Sequence, residues 1–194
     1  MNKAAGMMSL QAMIATSISA AWLMMAPAPG LAADPAMLGL QKAGEGGLSF
    51  FGISLYNASL WTETAAGIPD PSVEPVLLKI DYERNINRDR LLNVTKKEWR
   101  RLDVADEDQR AAWLKDLERV LPSIQRGDVL SSLTRPGKDT RFYFAGEEIG
   151  RIEDPAFGEA FLAIWLDPRT RATQLRESLL KPRLMASSQT KPPV

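Results

Sequence analysis

Along Thr140–Phe144 the chain is aromatic-rich and alternates in polarity, the period of two of a half-buried strand. Ala145–Gly146 reads as a turn, and Ile149 and Ile152 mark a second short strand. The period then changes. Phe157, Phe161, Ile164 and Trp165 fall at i, i+4, i+7 and i+8, one apolar stripe of a helix built for burial. Pro155 suits that helix's first position, with Asp154 before it as cap, and Asp167–Pro168 stops it.

The same alternation marks Val76–Arg84 as a strand. Leu78, Ile80, Tyr82 and Arg84 share one face, and Lys79, Asp81 and Glu83 share the other. Leu48–Trp61 reads as one long strand in which Gly52 or Asn57 marks a bulge or bend. Before it, Leu38–Gly47 is a lead-in whose Gly44–Gly47 cluster predicts a turn. A phosphate loop is excluded there because no Lys-Ser or Lys-Thr follows. Thr62–Pro75 holds three prolines and must be a loop. Two amphipathic helices are predicted over Asn87–Leu102 and Asp106–Leu121, with Trp99 and Trp113 on their apolar sides. The acids Asp103, Asp106, Glu107 and Asp108 belong to helix ends rather than to a calcium loop, whose alternate-position ligands are missing. Asp128–Thr134 is a further strand, Arg135–Lys138 a turn and Ala172–Leu180 a last short helix. Lys181–Val194 is polar and proline-containing, a disordered tail. Strands and helices in blocks predict an α+β domain, an antiparallel sheet with helices on one face.

The N-terminus alters the picture of where this domain works. Lys3 precedes an apolar run from Met7 to Met25, then Pro27, Pro29 and the small residues Gly30–Ala33, as in an export signal cleaved after Ala32 or Ala33. An uncleaved inner-membrane anchor is the rival reading. The expected organisation is thus a signal peptide over 1–33, one domain over 38–180 and a tail over 181–194. A chain without cysteine needs no oxidative folding and suits a bacterial periplasm. Charge is balanced, with 24 basic and 24 acidic residues, so no nucleic-acid partner is expected. The absence of histidine as well as cysteine removes thiol and Ser-His-Asp chemistry, makes a zinc site very unfavourable, and leaves no metal or other cofactor expected.

In order and spacing, the segments FFGISLYNASLW, LLKIDYERNI, WLKDLERVLP with RGDVL, TRFYFAGEEIGRIEDP, FGEAFLAIWLDPRT and LRESLL resemble the bacterial, exported branch of the chalcone isomerase-like family. That resemblance implies an open-faced β-sandwich, a large antiparallel sheet with one helical layer and a cleft between them. Plant enzymes of the family cyclise a chalcone through the substrate's own phenolate. They need positioning and negative-charge stabilisation rather than histidine. In that pattern an arginine of the early strands lines the cleft, and fatty-acid-binding relatives hold a carboxylate with the equivalent arginine. This chain has no arginine before Arg84; Met37–Leu60 offers only Lys42, in an expected loop. The helix Asn87–Leu102 lacks the family's tyrosine, and Phe51 stands where a substrate-facing threonine is expected. No catalytic residue carries over.

The residues themselves offer Tyr82 and Arg84, on the inward register of their strand, as a grip for a carboxylate or phenolate, with Tyr56 as a third ligand-binding candidate. The competing arrangement ends the strand at Tyr82 and leaves Arg84 in a surface loop, paired with Asp89 or Glu83. Trp61, Trp99, Trp113 and Trp165 read as packing residues. Three functions stay open: a binding domain for a small apolar anion such as a fatty acid or phenolic compound, an intramolecular lyase, and a structural or partner domain with a filled cleft.

Overall fold

Among the described residues, ten elements follow one another. They are β1 (Gln41–Phe50), β2 (Ile53–Thr62), β3 (Val76–Tyr82), α1 (Arg88–Leu102), α2 (Glu107–Val120), β4 (Val129–Thr134), β5 (Thr140–Phe144), β6 (Glu147–Ile152), α3 (Phe157–Leu166) and α4 (Thr173–Leu179). The structure is a computed structural model and describes residues 35, 38–64 and 69–180. The expected export segment 1–33 and tail 181–194 lie outside the described residues.

The strands form one antiparallel sheet in chain order, β1-β2-β3-β4-β5-β6. Alternation decides its two faces. Leu60, Leu78, Ile80 and Phe142 share one core with Trp99 of α1, Leu117 of α2, Phe161 of α3 and Leu175 of α4. Among the described residues, the opposite face carries a small cluster of Leu40, Leu77 and Leu133, flanked by Trp61 and Tyr143. The fold is therefore α+β, an open antiparallel sheet with a single helical layer, as the pattern predicts. The tryptophans do the packing. Trp99 donates its indole N–H to the Ala160 carbonyl at 2.7 Å, and Trp113 donates to the Asp154 carboxylate at 2.9 Å. Each satisfies a buried donor and ties α1 or α2 to the start of α3.

Three local expectations are corrected. Leu48–Trp61 is not one strand: Phe51 and Gly52, with φ of 50° and 76°, form a two-residue loop that folds β1 back on β2. Positive φ at both loop positions is the type I′ condition. Gly44–Gly47 is accordingly no turn but the middle of β1. Its glycines answer to packing, because a Cβ at Gly44 would come under 3.0 Å from the Ser178 and Leu179 carbonyl oxygens of α4. Finally, α3 starts at Phe157 with Ala156 at its N-cap and no side-chain cap. Asp154 instead closes the preceding turn through the Ala156 N–H, while its other oxygen accepts from Gln109 and Trp113.

At α1 and α2 the polar residues sit at the helix ends, as read. Asn87 caps α1 by accepting from the Arg90 N–H, and Asp106 caps α2 through the Gln109 N–H. Glu107 bonds Arg100 and Arg110, and Asp103 closes α1 in the left-handed conformation.

Candidate functional site

Between the sheet and helices α1 and α3 lies a cavity of about 470 Å³, within the range of small-molecule sites. Its walls are mostly apolar. Ile80 and Leu130 come from the sheet, Leu91 and Val94 from α1, and Phe161 and Ile164 from α3. The amphipathic stripes of α1 and α3 thus meet across the sheet without filling the space between them.

A register shift shapes the β2 wall. Leu48 pairs with Tyr56 but Ser49 pairs with Ser54, leaving Leu55 as the extra residue of a bulge. A bulge changes which side chains face inward, and here Ile53, Leu55 and Tyr56 all line the cavity.

All three residues singled out from the sequence, Tyr56, Tyr82 and Arg84, line it as well. Tyr56 and Tyr82 face each other across the β2–β3 register, with ring centroids 5.7 Å apart in an edge-on arrangement. Burial pushes the Tyr56 phenol up to about 12, against the opposing effect of a 2.9 Å hydrogen bond donated by the Trp165 indole N–H. Burial also raises Tyr82, and the neighbouring Tyr56 raises it further. Both phenols therefore stay protonated through the physiological range. They can donate hydrogen bonds to a ligand but cannot serve as bases.

The placement of Arg84 corrects the inward-register reading. The strand ends at Tyr82 and Arg84 sits exposed in the following bend, so its guanidinium is solvated rather than buried. It nevertheless reaches the cavity rim, where its Nε donates to the Ser54 carbonyl at 3.4 Å. It makes no ion pair among the described residues, and Glu83, one of its expected partners, accepts from Asn57 at 2.6 Å instead. Lys42 lies in β1 rather than in a loop, paired with Glu45 at 2.7 Å and over the Trp61 ring, away from the cavity. Phe51 does not face the cavity; it stands in the hairpin loop, 89% exposed.

Sequence reasoning missed Arg90. It lines the rim from the first turn of α1 and, like Arg84, has no carboxylate within ion-pair distance among the described residues. One signal was available: an arginine in a helix's first turn opposes the helix dipole and calls for another reason to be there. The early strands contribute no guanidinium to the cavity, in line with the absence of arginine before Arg84. Among the described residues the cavity has two guanidiniums, Arg84 and Arg90, both at its mouth. No grouping of three or more acidic side chains suited to a metal occurs among the described residues.

Comparison with known proteins agrees with this architecture. The family described as chalcone isomerase-like matches residues 35–181. An uncharacterised protein of Haemophilus influenzae is 27% identical over 127 residues, covering 65% of this chain and 60% of that relative. The chain therefore spans about three-fifths of the relative's length. The crystal structure of an Arabidopsis thaliana fatty-acid binding protein superposes with a TM-score of 0.58 at 14% identity, covering 73% of this chain and 86% of that one. At that identity the likeness establishes the fold.

Proposed function

The chain belongs to the chalcone isomerase-like family, and within it we propose that this member is a non-catalytic binding protein for a small apolar anion, a fatty acid or a phenolic acid. The observation that carries this reading is the division of the cavity. An apolar interior of about 470 Å³ ends at a rim holding Arg84 and Arg90. An aliphatic or aromatic body gains from leaving water for such an interior, roughly 25 cal/mol per Å² of apolar surface. Its carboxylate stays at the mouth, where two guanidiniums without carboxylate partners among the described residues can hold it by charge-assisted hydrogen bonds. Tyr56 and Tyr82 supply neutral donors further in. The fatty-acid binding of the Arabidopsis structure's namesake supports the choice of ligand class.

Native mass spectrometry of the protein purified from cells tests the proposal. An apolar acid co-purifying with the wild type and lost from Arg84→Ala/Arg90→Ala is the expected result. Protein that is empty from every preparation, and remains so after incubation with palmitate, counts against it.

A second reading, an intramolecular lyase of the chalcone-flavanone type, draws on the same phenols and guanidiniums. It is weaker because both arginines are exposed at the rim, where water screens the field that catalysis requires. Chalcone cyclisation no faster than in buffer removes it. The export of the protein to a periplasm also belongs to this proposal; the N-terminal sequence of the protein recovered from the periplasmic fraction should begin next to Ala32 or Ala33.

A further inference from the structure

The β1–β2 hairpin ends in a feature that ligand binding inside the cavity does not use. Phe50 is 64% exposed and Phe51 89%, their rings 4.4 Å apart and edge-on. Beside them Ile53 is 49% exposed, and Val94 of α1, on the cavity lining, is 50% exposed. Phe51 also holds a positive φ, an uncommon conformation for a bulky residue, where asparagine or glycine would be at ease. The fold thus keeps a phenylalanine where both solvent and backbone disfavour it, an outlier that points to use.

Charge is distributed to match. From Gly46 to Thr62 the chain carries no charged residue. Next to this neutral tip stand Arg84, bonded to the Ser54 carbonyl of the same hairpin, and Arg90 across the cavity mouth. Leu48 and Ile53, at the base of the tip, line the cavity, so tip and mouth are continuous.

We propose that this end of the molecule docks on an anionic phospholipid bilayer, with Phe50 and Phe51 inserted among the acyl chains, Arg84 and Arg90 at the headgroups, and the cavity mouth against the lipid. A protein partner fits less well, because a specific protein interface takes on the order of 800 Å² from each side, which two phenylalanines do not supply. Interfacial insertion needs only the apolar tip and attraction to anionic headgroups. Docking draws on the same two guanidiniums that hold the ligand's carboxylate in the proposed function, so its test rests on the phenylalanines, which ligand binding does not use.

The chain has no cysteine, so a single introduced thiol carries a label cleanly. Ser49→Cys places an environment-sensitive dye beside the tip. Lys138→Cys places it in the β4–β5 turn, at the opposite end of the strands. With the full chain and vesicles of phosphatidylglycerol and phosphatidylcholine, the dye at 49 should shift to the blue and be quenched by nitroxide-bearing lipid, and the dye at 138 should not. Phe50→Ser/Phe51→Ser should weaken the response at 49 by at least about tenfold in lipid concentration. Arg84→Ala/Arg90→Ala should reduce the preference for anionic vesicles. The local readout separates the hairpin from any lipid contact made elsewhere in the chain. No quenching at 49, equal quenching on pure phosphatidylcholine, or an unchanged response after removing the phenylalanines overturns the proposal. So does a shift that needs no vesicles and grows with protein concentration, which would identify a second copy as the occupant.

Discussion

At the scale of single residues, the candidate site separates a grip from a floor. Arg84 and Arg90 are exposed cations without carboxylate partners among the described residues, so neither stabilises the empty fold through an ion pair. Removing both should leave the unfolding free energy within about 0.5 kcal/mol of wild type, as for ordinary surface positions. It should weaken binding of a fluorescent fatty-acid probe by about 10- to 100-fold, since a hydrogen bond to a charged group contributes about 1.5–3 kcal/mol. Titration of that probe checks the second figure and chemical denaturation the first. Tyr56 behaves in the opposite way. Its hydroxyl accepts the Trp165 indole proton at 2.9 Å inside the core, so Tyr56→Phe strands that donor and should cost about 1–3 kcal/mol of stability even with no ligand present. A Tyr56→Phe protein as stable as wild type would show that the indole has another partner.

At the scale of elements, the close approach of α4 to β1 depends on Gly44. Gly44→Ala places a methyl group against backbone carbonyls that cannot rotate away, unlike a side chain. The expected loss is about 1–3 kcal/mol, measurable as a lower denaturation midpoint with little change in slope. The same glycines explain what was and was not legible in the sequence. Periodicity located α1, α2, α3 and five of the strands, because Trp99, Trp113, Phe161 and Ile80 repeat at helical or strand spacing and are buried where the pattern places them. It failed for β1, because glycines placed for close packing carry no hydrophobic signal and look like a turn. The bulge at Leu55 was equally silent: it changes which side chains face inward without changing composition. Tyr56 and Tyr82 were legible because a strand register fixes their face. For Arg84 the sequence left an inward strand position and a loop position both open, and the end of β3 at Tyr82 decides for the loop; Arg90 was hidden because its role arises only where α1 crosses the cavity mouth. The hairpin loop gives a further test. Phe51→Asn relieves a positive-φ position and should raise stability by about 0.5–1 kcal/mol, while weakening the response to anionic vesicles. A substitution that gains stability and loses docking would mark Phe51 as kept for the surface rather than for the fold.

At the scale of the whole molecule, the absence of histidine and cysteine leaves few groups to titrate between the carboxylates and the tyrosines. The native state lowers some of the carboxyls and raises the tyrosines. The Arg135 guanidinium, bonded to Asp139 at 2.6 Å on one oxygen and assisted by Arg141, holds that buried carboxyl below its ordinary value. Hydrogen bonds from Arg169 do the same for Asp167. A depressed carboxyl contributes stability above its unfolded value, about 4, and that contribution is lost as pH falls through the folded value. Tyr56 and Tyr82 are raised by burial, so their contribution is complete below the unfolded value, about 10, and is lost as pH climbs through the folded values, about 12 for Tyr56. Denaturation free energy should therefore be level from about pH 5.5 to about pH 9 and fall on both sides. Asp139→Asn should lower the plateau by about 1–3 kcal/mol and make the acid limb shallower, because the variant no longer has that proton to gain. Tyr82→Phe should leave the acid limb alone and delay the alkaline one. A slope between pH 6 and 8, where neither family changes charge, would mean that some other group is titrating inside the fold. An anion proposed for the cavity should leave only below that range, as its own carboxylate takes up a proton.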